Sequence, residues 1–313
     1  MAFVFFSKIS DCSSFVIPRI FVALIPIIVI EHTVQVQSSP QPLIEKVQKQ
    51  NRQRSIMSEN VNKAGHSVKD KVVLITGANR GIGKALVDEC IHHGATKVYA
   101  AVRALSSAQP LVDKYENVHA IYMDLSKPET IEKAALEAND VQIVINNAGI
   151  LSNTDPLSPN AVEQLEQEMK VNVYGFIHVA QQFAPLLKQN NNASGGVLVQ
   201  INSVASFRCA VPSVATYSAS KAAAFSITQA LRSSLQAQGT MVLSVHPGPI
   251  ATDMIQGSAL AKFQAESPTV VAEEVVQAIE SGGFLVFPDP QSKSLGKAYS
   301  SFAQYVFEDG NMY

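Results

Sequence analysis

The chain has 313 residues, 47% of them hydrophobic and 16% charged, with a formal net charge of −2. That is apolar material for one globular domain of about 250 residues plus extensions, and the charge balance argues against a nucleic-acid binder built on a basic face and against an acidic tail. Three widely spaced cysteines, Cys12, Cys90 and Cys209, make neither a disulfide framework nor a metal-ligand pattern and point to a reducing compartment.

The N-terminus carries an apolar run, IFVALIPIIVI at 20–30, with Lys8 and Arg19 upstream. It resembles a signal-peptide hydrophobic region or a short anchor. It is shorter than the roughly 20 residues of a spanning helix. Extension back to Phe15 takes in Pro18 and Arg19, and no A-x-A-type cleavage site follows. Residues 31–70 are Gln- and Ser-rich and read as a linker. Met57 is a second possible start. An anchor, a targeting segment and a gene-start artefact therefore stay open for the first 56 residues. The expected organisation is an extension over 1–68, a folded domain over 69–290 and a tail over 291–313. The expected location is the cytoplasm, with attachment through about 15–30 as the alternative.

From Lys71 onward, β-branched runs alternate with amphipathic stretches. Strands are expected at 71–77, 97–103, 118–124, 141–149, 195–203, 241–248 and 284–288, and helices at 83–94, 126–137, 160–188, 213–238 and 269–283. Ser126 and Glu129 stand three apart with Pro128 between them, the signature of a capping box. Near-continuous apolar strands joined by helical crossovers give a parallel sheet with helices on both faces, a doubly wound α/β fold of the dinucleotide-binding kind.

The first strand runs into TGANRGIG, with Gly77, Gly81 and Gly83 ahead of a helix. Such glycines let a backbone turn tightly against a pyrophosphate lying on helix N–H groups. Asn79, Arg80 and Ile82 belong to the same loop. After the second strand comes Arg103, with no acid beside it where an NAD site places one for the ribose hydroxyl. Arg80 and Arg103 suit a 2′-phosphate, so NADP(H) is the preferred cofactor and NAD(H) the alternative. Asp124 either bonds an adenine edge, with Leu125 helping through its backbone, or bonds its own turn. Asn147, Ala148 and Gly149 end the fourth strand with room for a cofactor against the backbone.

Tyr217 and Lys221 stand four apart in ATYSASKAAAF and share a helix face. A tyrosine titrates near pH 10 and is a poor base at neutrality. An adjacent ammonium is expected to lower that value, letting the phenol exchange a proton with a carbonyl or hydroxyl oxygen. Ser203, at the end of the fifth strand, is the candidate to hold that oxygen, with Ser206 as a rival. Asn172 is either a core amide or the holder of a water linking Lys221 to solvent. Pro247, Gly248, Ile250 and Thr252 lie in the loop after the sixth strand and face the cofactor. No metal is expected, since the seven histidines suggest no ligand cluster.

Together, TGANRGIG, Asp124–Leu125, NNAG at 146–149, Asn172, Ser203, YSASK at 217–221 and PGPIATD at 247–253 resemble the short-chain dehydrogenase/reductase family over about residues 69–290. The resemblance implies a single Rossmann-type sheet of about seven strands. It implies Ser203 on the substrate oxygen, Tyr217 as general acid/base, Lys221 on the nicotinamide ribose and Asn172 in the proton relay. It also implies a homodimer or homotetramer. Met254, Ile255, Leu260 and Phe263 in the following loop, with the stretch 207–215, suggest an apolar carbonyl or alcohol substrate. Two rival readings are a nucleotide-sensing protein that keeps the fold without catalysis and a membrane-anchored lipid or steroid reductase.

Overall fold

The computed structural model describes residues 65–191 and 195–303; the apolar run at 20–30, most of the linker and the last ten residues lie outside them. Seven strands form one sheet in the order β3-β2-β1-β4-β5-β6-β7, every neighbouring pair parallel. They are β1 (Val72–Thr76), β2 (Lys97–Val102), β3 (Val118–Tyr122), β4 (Ile143–Asn146), β5 (Val197–Ile201), β6 (Met241–Val245) and β7 (Leu285–Val286).

The crossovers are α1 (Gly81–His92), α2 (Gln109–Lys114), α3 (Pro128–Glu137), the run α4 (Ala161–Glu168) to α5 (Gly175–Gln189), α6 (Ala215–Gln236) and α7 (Pro268–Ser281); α8 (Pro290–Ala303) follows the sheet. The strand side chains alternate between two cores. Val73, Ile75, Val199 and Leu243 pack with Leu86 and Val87 of α1 and with Val275 and Ile279 of α7. Leu74, Val144, Leu198 and Val242 pack with Ile131 of α3, with Phe176 and Phe183 of α5 and with Phe225 of α6. Burial on both faces is why the strands read as continuous apolar runs.

Three expectations change. Lys127, not Ser126, is the N-cap residue of α3, and no side chain caps that helix. Ser126 instead gives its N–H and hydroxyl to Asp124 Oδ1 at 3.0 and 2.7 Å, and Thr130 bonds the backbone of Asp124. An acid two residues upstream outcompeted the helix terminus for the serine. The helix expected over 160–188 contains a π-helical turn, Met169–Tyr174, which carries Asn172. The described part of the tail, Pro290–Ala303, is helical: α8 is tied down by Tyr299, 4.7 Å from the Phe207 ring.

Candidate active site

The order of the strands reverses between β1 and β4, so their C-terminal ends open a crevice, the place where doubly wound sheets bind ligands. The loop after β1 is held to the end of β4 by Thr76. Its hydroxyl accepts from the N–H groups of Asn147 and Ala148, both at 2.9 Å, and donates to Asn146 Oδ1 at 3.0 Å. Gly77 and Gly81 take φ of +65° and +51°. No side chain caps α1 and its first turn holds no acid, so its N-terminal N–H groups face the crevice unspent. A Cβ at Gly83 would lie 2.0 Å from the Gly77 carbonyl oxygen. This is a cradle closed to side chains and suited to a pyrophosphate.

A cavity of about 580 Å³ runs along these strand ends. Gly77, Asn79, Arg80, Gly81 and Ile82 line it from the glycine loop; Arg103, Asp124 and Leu125 from the ends of β2 and β3; and Asn147, Ala148 and Gly149 from the end of β4. Ser203, Tyr217, Lys221, Pro247, Gly248, Ile250 and Thr252 complete that wall. Gly83 and Asn172 stand behind it. The Arg80 guanidinium pairs with Asp253 at 3.0 Å at the mouth of this wall, both side chains exposed.

Tyr217 and Lys221 lie one turn apart on α6, 6% and 4% exposed. Lys221 Nζ donates to the Ile201 carbonyl at 2.8 Å and stands 5.9 Å from the centre of the Tyr217 ring. The expected effect of this ammonium on the phenol is not what the structure shows. Burial pushes Tyr217 up to about 12, only partly offset by a hydrogen bond from Ser203, and burial brings Lys221 down to about 8. In this environment each group is driven toward its neutral form.

Ser203, not Ser206, reaches the cavity. The Ser206 hydroxyl donates to the Ser203 carbonyl, and His246 Nδ1 lies 3.1 Å from the same oxygen. A carbonyl only accepts, so Nδ1 carries the ring proton, while Nε2 accepts from Ser244 Oγ at 2.8 Å. Burial lowers His246 to about 3, so the imidazole is neutral and acts as a strut beneath Ser203. Asn172 is a satisfied core amide. It gives to the Ile150 carbonyl at 3.0 Å and the Ser220 hydroxyl at 2.9 Å, and it accepts from Ile150 N–H at 2.9 Å. It thereby clamps the loop after β4 to α6.

Two contacts had no local sequence signal. Asp289, 1% exposed, accepts from Gly248 N–H at 2.7 Å and from Ser292 N–H at 3.0 Å, joining the loop after β6 to the start of α8. Arg208 lines the cavity among Ala205, Ala210, Val214, Met254, Ile255, Leu260 and Phe263. Among the described residues no carboxylate pairs with it. Away from the cavity, Glu89, His92 and His93 at the C-terminal end of α1 bring possible ligand atoms within 4.8 Å of one another, which corrects the reading that no histidine joins such a group. His93 Nε2 already bonds Glu89 at 3.0 Å there.

The fold and crevice define a nucleotide-binding α/β oxidoreductase. The family model for short chain dehydrogenases matches residues 71–262. An uncharacterized oxidoreductase of Schizosaccharomyces pombe is 31% identical over 254 residues, 77% of this chain and 93% of its own. The NADPH-dependent 3-dehydrocapnine reductase of Ornithobacterium rhinotracheale is 31% identical over 192 residues, 59% of this chain and 67% of its own. A short chain dehydrogenase from Burkholderia cenocepacia J2315, solved in complex with NADP, superposes with a TM-score of 0.69 at 31% identity, covering 77% of this chain and 97% of that one. The chain belongs to the short-chain dehydrogenase/reductase family and is an oxidoreductase with a Rossmann-type NAD(P)-binding fold.

Proposed function

We propose that the protein is an NADP(H)-dependent reductase of an apolar carbonyl compound, running in reverse as the dehydrogenase of the corresponding secondary alcohol. The observation that carries this is the convergence of Ser203, Tyr217 and Lys221 on one cavity with the glycine loop. When bound, the nicotinamide cofactor supplies or accepts the hydride. Ser203 holds the substrate oxygen by its hydroxyl, and Tyr217 gives that oxygen a proton in reduction and takes it back in oxidation. Lys221, anchored on Ile201, faces the same space. A screen of apolar ketones and aldehydes with NADPH, followed by the loss of its absorbance, tests the reading. No oxidation with any of them favours the non-catalytic sensor.

Preference for NADP(H) rests on Arg103 and on the absence of an acid after β2; the similar reductase and the similar structure, whose names carry NADPH and NADP, support it. Arg103→Ala is expected to raise the KM for NADPH by about 10–100-fold, the worth of hydrogen bonds to a charged group, and to leave NADH kinetics unchanged. Equal losses with both cofactors would put Arg103 outside the 2′-phosphate site.

Arg208 narrows the substrate to an apolar oxo compound with an anionic group away from the reacting carbon. Oxo acids should be preferred over their methyl esters by roughly 5–20-fold in kcat/KM, within reach of one charge-assisted bond. Arg208→Gln is expected to erase the preference while sparing the esters. A preference that survives the substitution would assign Arg208 to the surface. A homodimer or homotetramer in the cytoplasm completes the proposal; among the described residues no helix is long and apolar enough to cross a membrane.

A further inference from the structure

A chain of buried side chains, unused by the proton transfer above, ties the Ser203 carbonyl to the helix that presents Tyr217. Its members are Thr228 of α6, Asn202, Ser244 and His246, all buried. Thr228 donates its hydroxyl proton to the Ala224 carbonyl at 2.7 Å, so its oxygen accepts from Asn202 Nδ2 at 3.2 Å. Asn202 Nδ2 also donates to Ser244 Oγ at 2.8 Å. Ser244 gives its own proton to His246 Nε2 at 2.8 Å, and the proton on Nδ1 goes to the Ser203 carbonyl at 3.1 Å. Carbonyl oxygens only accept, and they close both ends, so every proton in the chain has one direction. Bonds aligned in this way polarise and strengthen one another. A second tie runs beside it: Ser218 of α6 donates to the Ala205 carbonyl at 2.6 Å, in the turn that follows Ser203.

Filling space does not explain the imidazole. Phe207, Phe225 and Phe287 surround it with ring centres 4.6, 4.7 and 5.5 Å away, a box that a phenyl ring would fill as well. Satisfying the Ser203 carbonyl does not explain it either, since that oxygen already accepts from the Ser206 hydroxyl. A second donor on the same oxygen occupies its other lone pair and fixes the plane of the peptide after Ser203, which one donor alone would let swing. His246 stands behind the cavity wall that Ser203 and Tyr217 line. We propose that His246 is a positioning residue for the reaction: anchored through Ser244, Asn202 and Thr228 on α6, it holds the Ser203 backbone so that the hydroxyl keeps its place relative to Tyr217. The proposal rests on the reading of Ser203 as the group that holds the substrate oxygen. Two groups must meet that one oxygen together, and a misplacement of about 1 Å costs on the order of 10²-fold in rate.

The test is NADPH-dependent reduction of the ketone turned over best in a panel headed by acetophenone. His246→Phe should lower kcat/KM for the ketone by about 10–100-fold and leave NADPH affinity within about two-fold. His246→Asn, whose amide nitrogen falls near the place of Nδ1, should recover most of that loss; His246→Gln, whose amide falls near the place of Nε2, should not. A double-mutant cycle separates positioning from a general structural role. Ser203→Ala alone should cost about 10²–10³-fold, the worth of a donor on the reacting oxygen. Adding His246→Phe to it should cost little more, because a residue that acts through Ser203 then has nothing left to position. If His246→Phe does not fold, Ser244→Ala, which frees the imidazole from the donor that orients it, should show a smaller loss with the same dependence on Ser203. Losses that multiply in the double variant, or a folded His246→Phe with wild-type rates, overturn the proposal while leaving the reductase reading intact. Wild-type rates in Ser203→Ala, or a wild-type protein that turns over no member of the panel, overturn both.

Discussion

Tyr217→Phe is expected to lower turnover by about 10²–10⁴-fold, the range for loss of a positioned acid/base group, with NADPH binding retained. The ring is already 6% exposed, so phenylalanine fills the same space. Lys221 keeps its bond to Ile201 and its place 5.9 Å from the ring centre. Only the hydroxyl and its link to Ser203 disappear. Steady-state rates beside a cofactor-fluorescence titration separate the two effects. Near-wild-type turnover in this variant would remove the phenol from the reaction. The position of Tyr217, pushed up to about 12, also sets a direction. Below that value the phenol is protonated, so the acid form needed for carbonyl reduction is present throughout neutral pH. The phenolate needed for oxidation grows about tenfold with each pH unit. Reduction should therefore be nearly flat from about pH 6 to 8, and oxidation should climb steadily into the alkaline range.

The parts of this molecule written in local sequence were legible. Strand interiors such as VVLIT and VLVQI are buried along most or all of their length, so composition alone marked them. The face shared by Tyr217 and Lys221 followed from helical spacing. What stayed hidden depends on partners distant in the chain. Asp253 reaches Arg80 across 173 positions, and Asp289 reaches Gly248 across 41; neither has a local signature. Ser126 looked like a helix cap because spacing shows which residues can bond a terminus, not which competing acceptor wins. The expected fall of the tyrosine pKa failed for a similar reason. Sequence places the ammonium one turn away, but it shows neither how dry the site is nor that Lys221 spends a bond on Ile201. Glu168 reads as one more polar residue on a solvated helix until the fold closes over it.

Gly83→Ala should be the most damaging single-methyl change in the crevice. The added carbon would lie 2.0 Å from the Gly77 carbonyl oxygen and 2.7 Å from the Asn147 side-chain amide. Neither is the yielding end of a flexible side chain: the first is backbone, and Asn147 Nδ2 is held by the Thr76 carbonyl at 2.9 Å. The turn must open, which pulls the N-terminus of α1 away from the place where a pyrophosphate would meet it. Overpacking of this kind costs about 1–3 kcal/mol, a fall in Tm of roughly 2–12 °C for a domain this size. NADPH affinity should fall further than stability alone requires, by two orders of magnitude or more, since the charge-assisted bonds to the phosphates depend on backbone placement. Gly257→Ala is the control for a cavity-remote methyl group. Unlike Gly83, which lies in the first turn of α1, that glycine takes a positive φ, +74°, but nothing lies within 4 Å of its added carbon. It should cost about 1–2 kcal/mol in backbone strain and leave cofactor affinity unchanged. Equal losses of affinity in the two variants would mean that the glycine loop is a turn and nothing more.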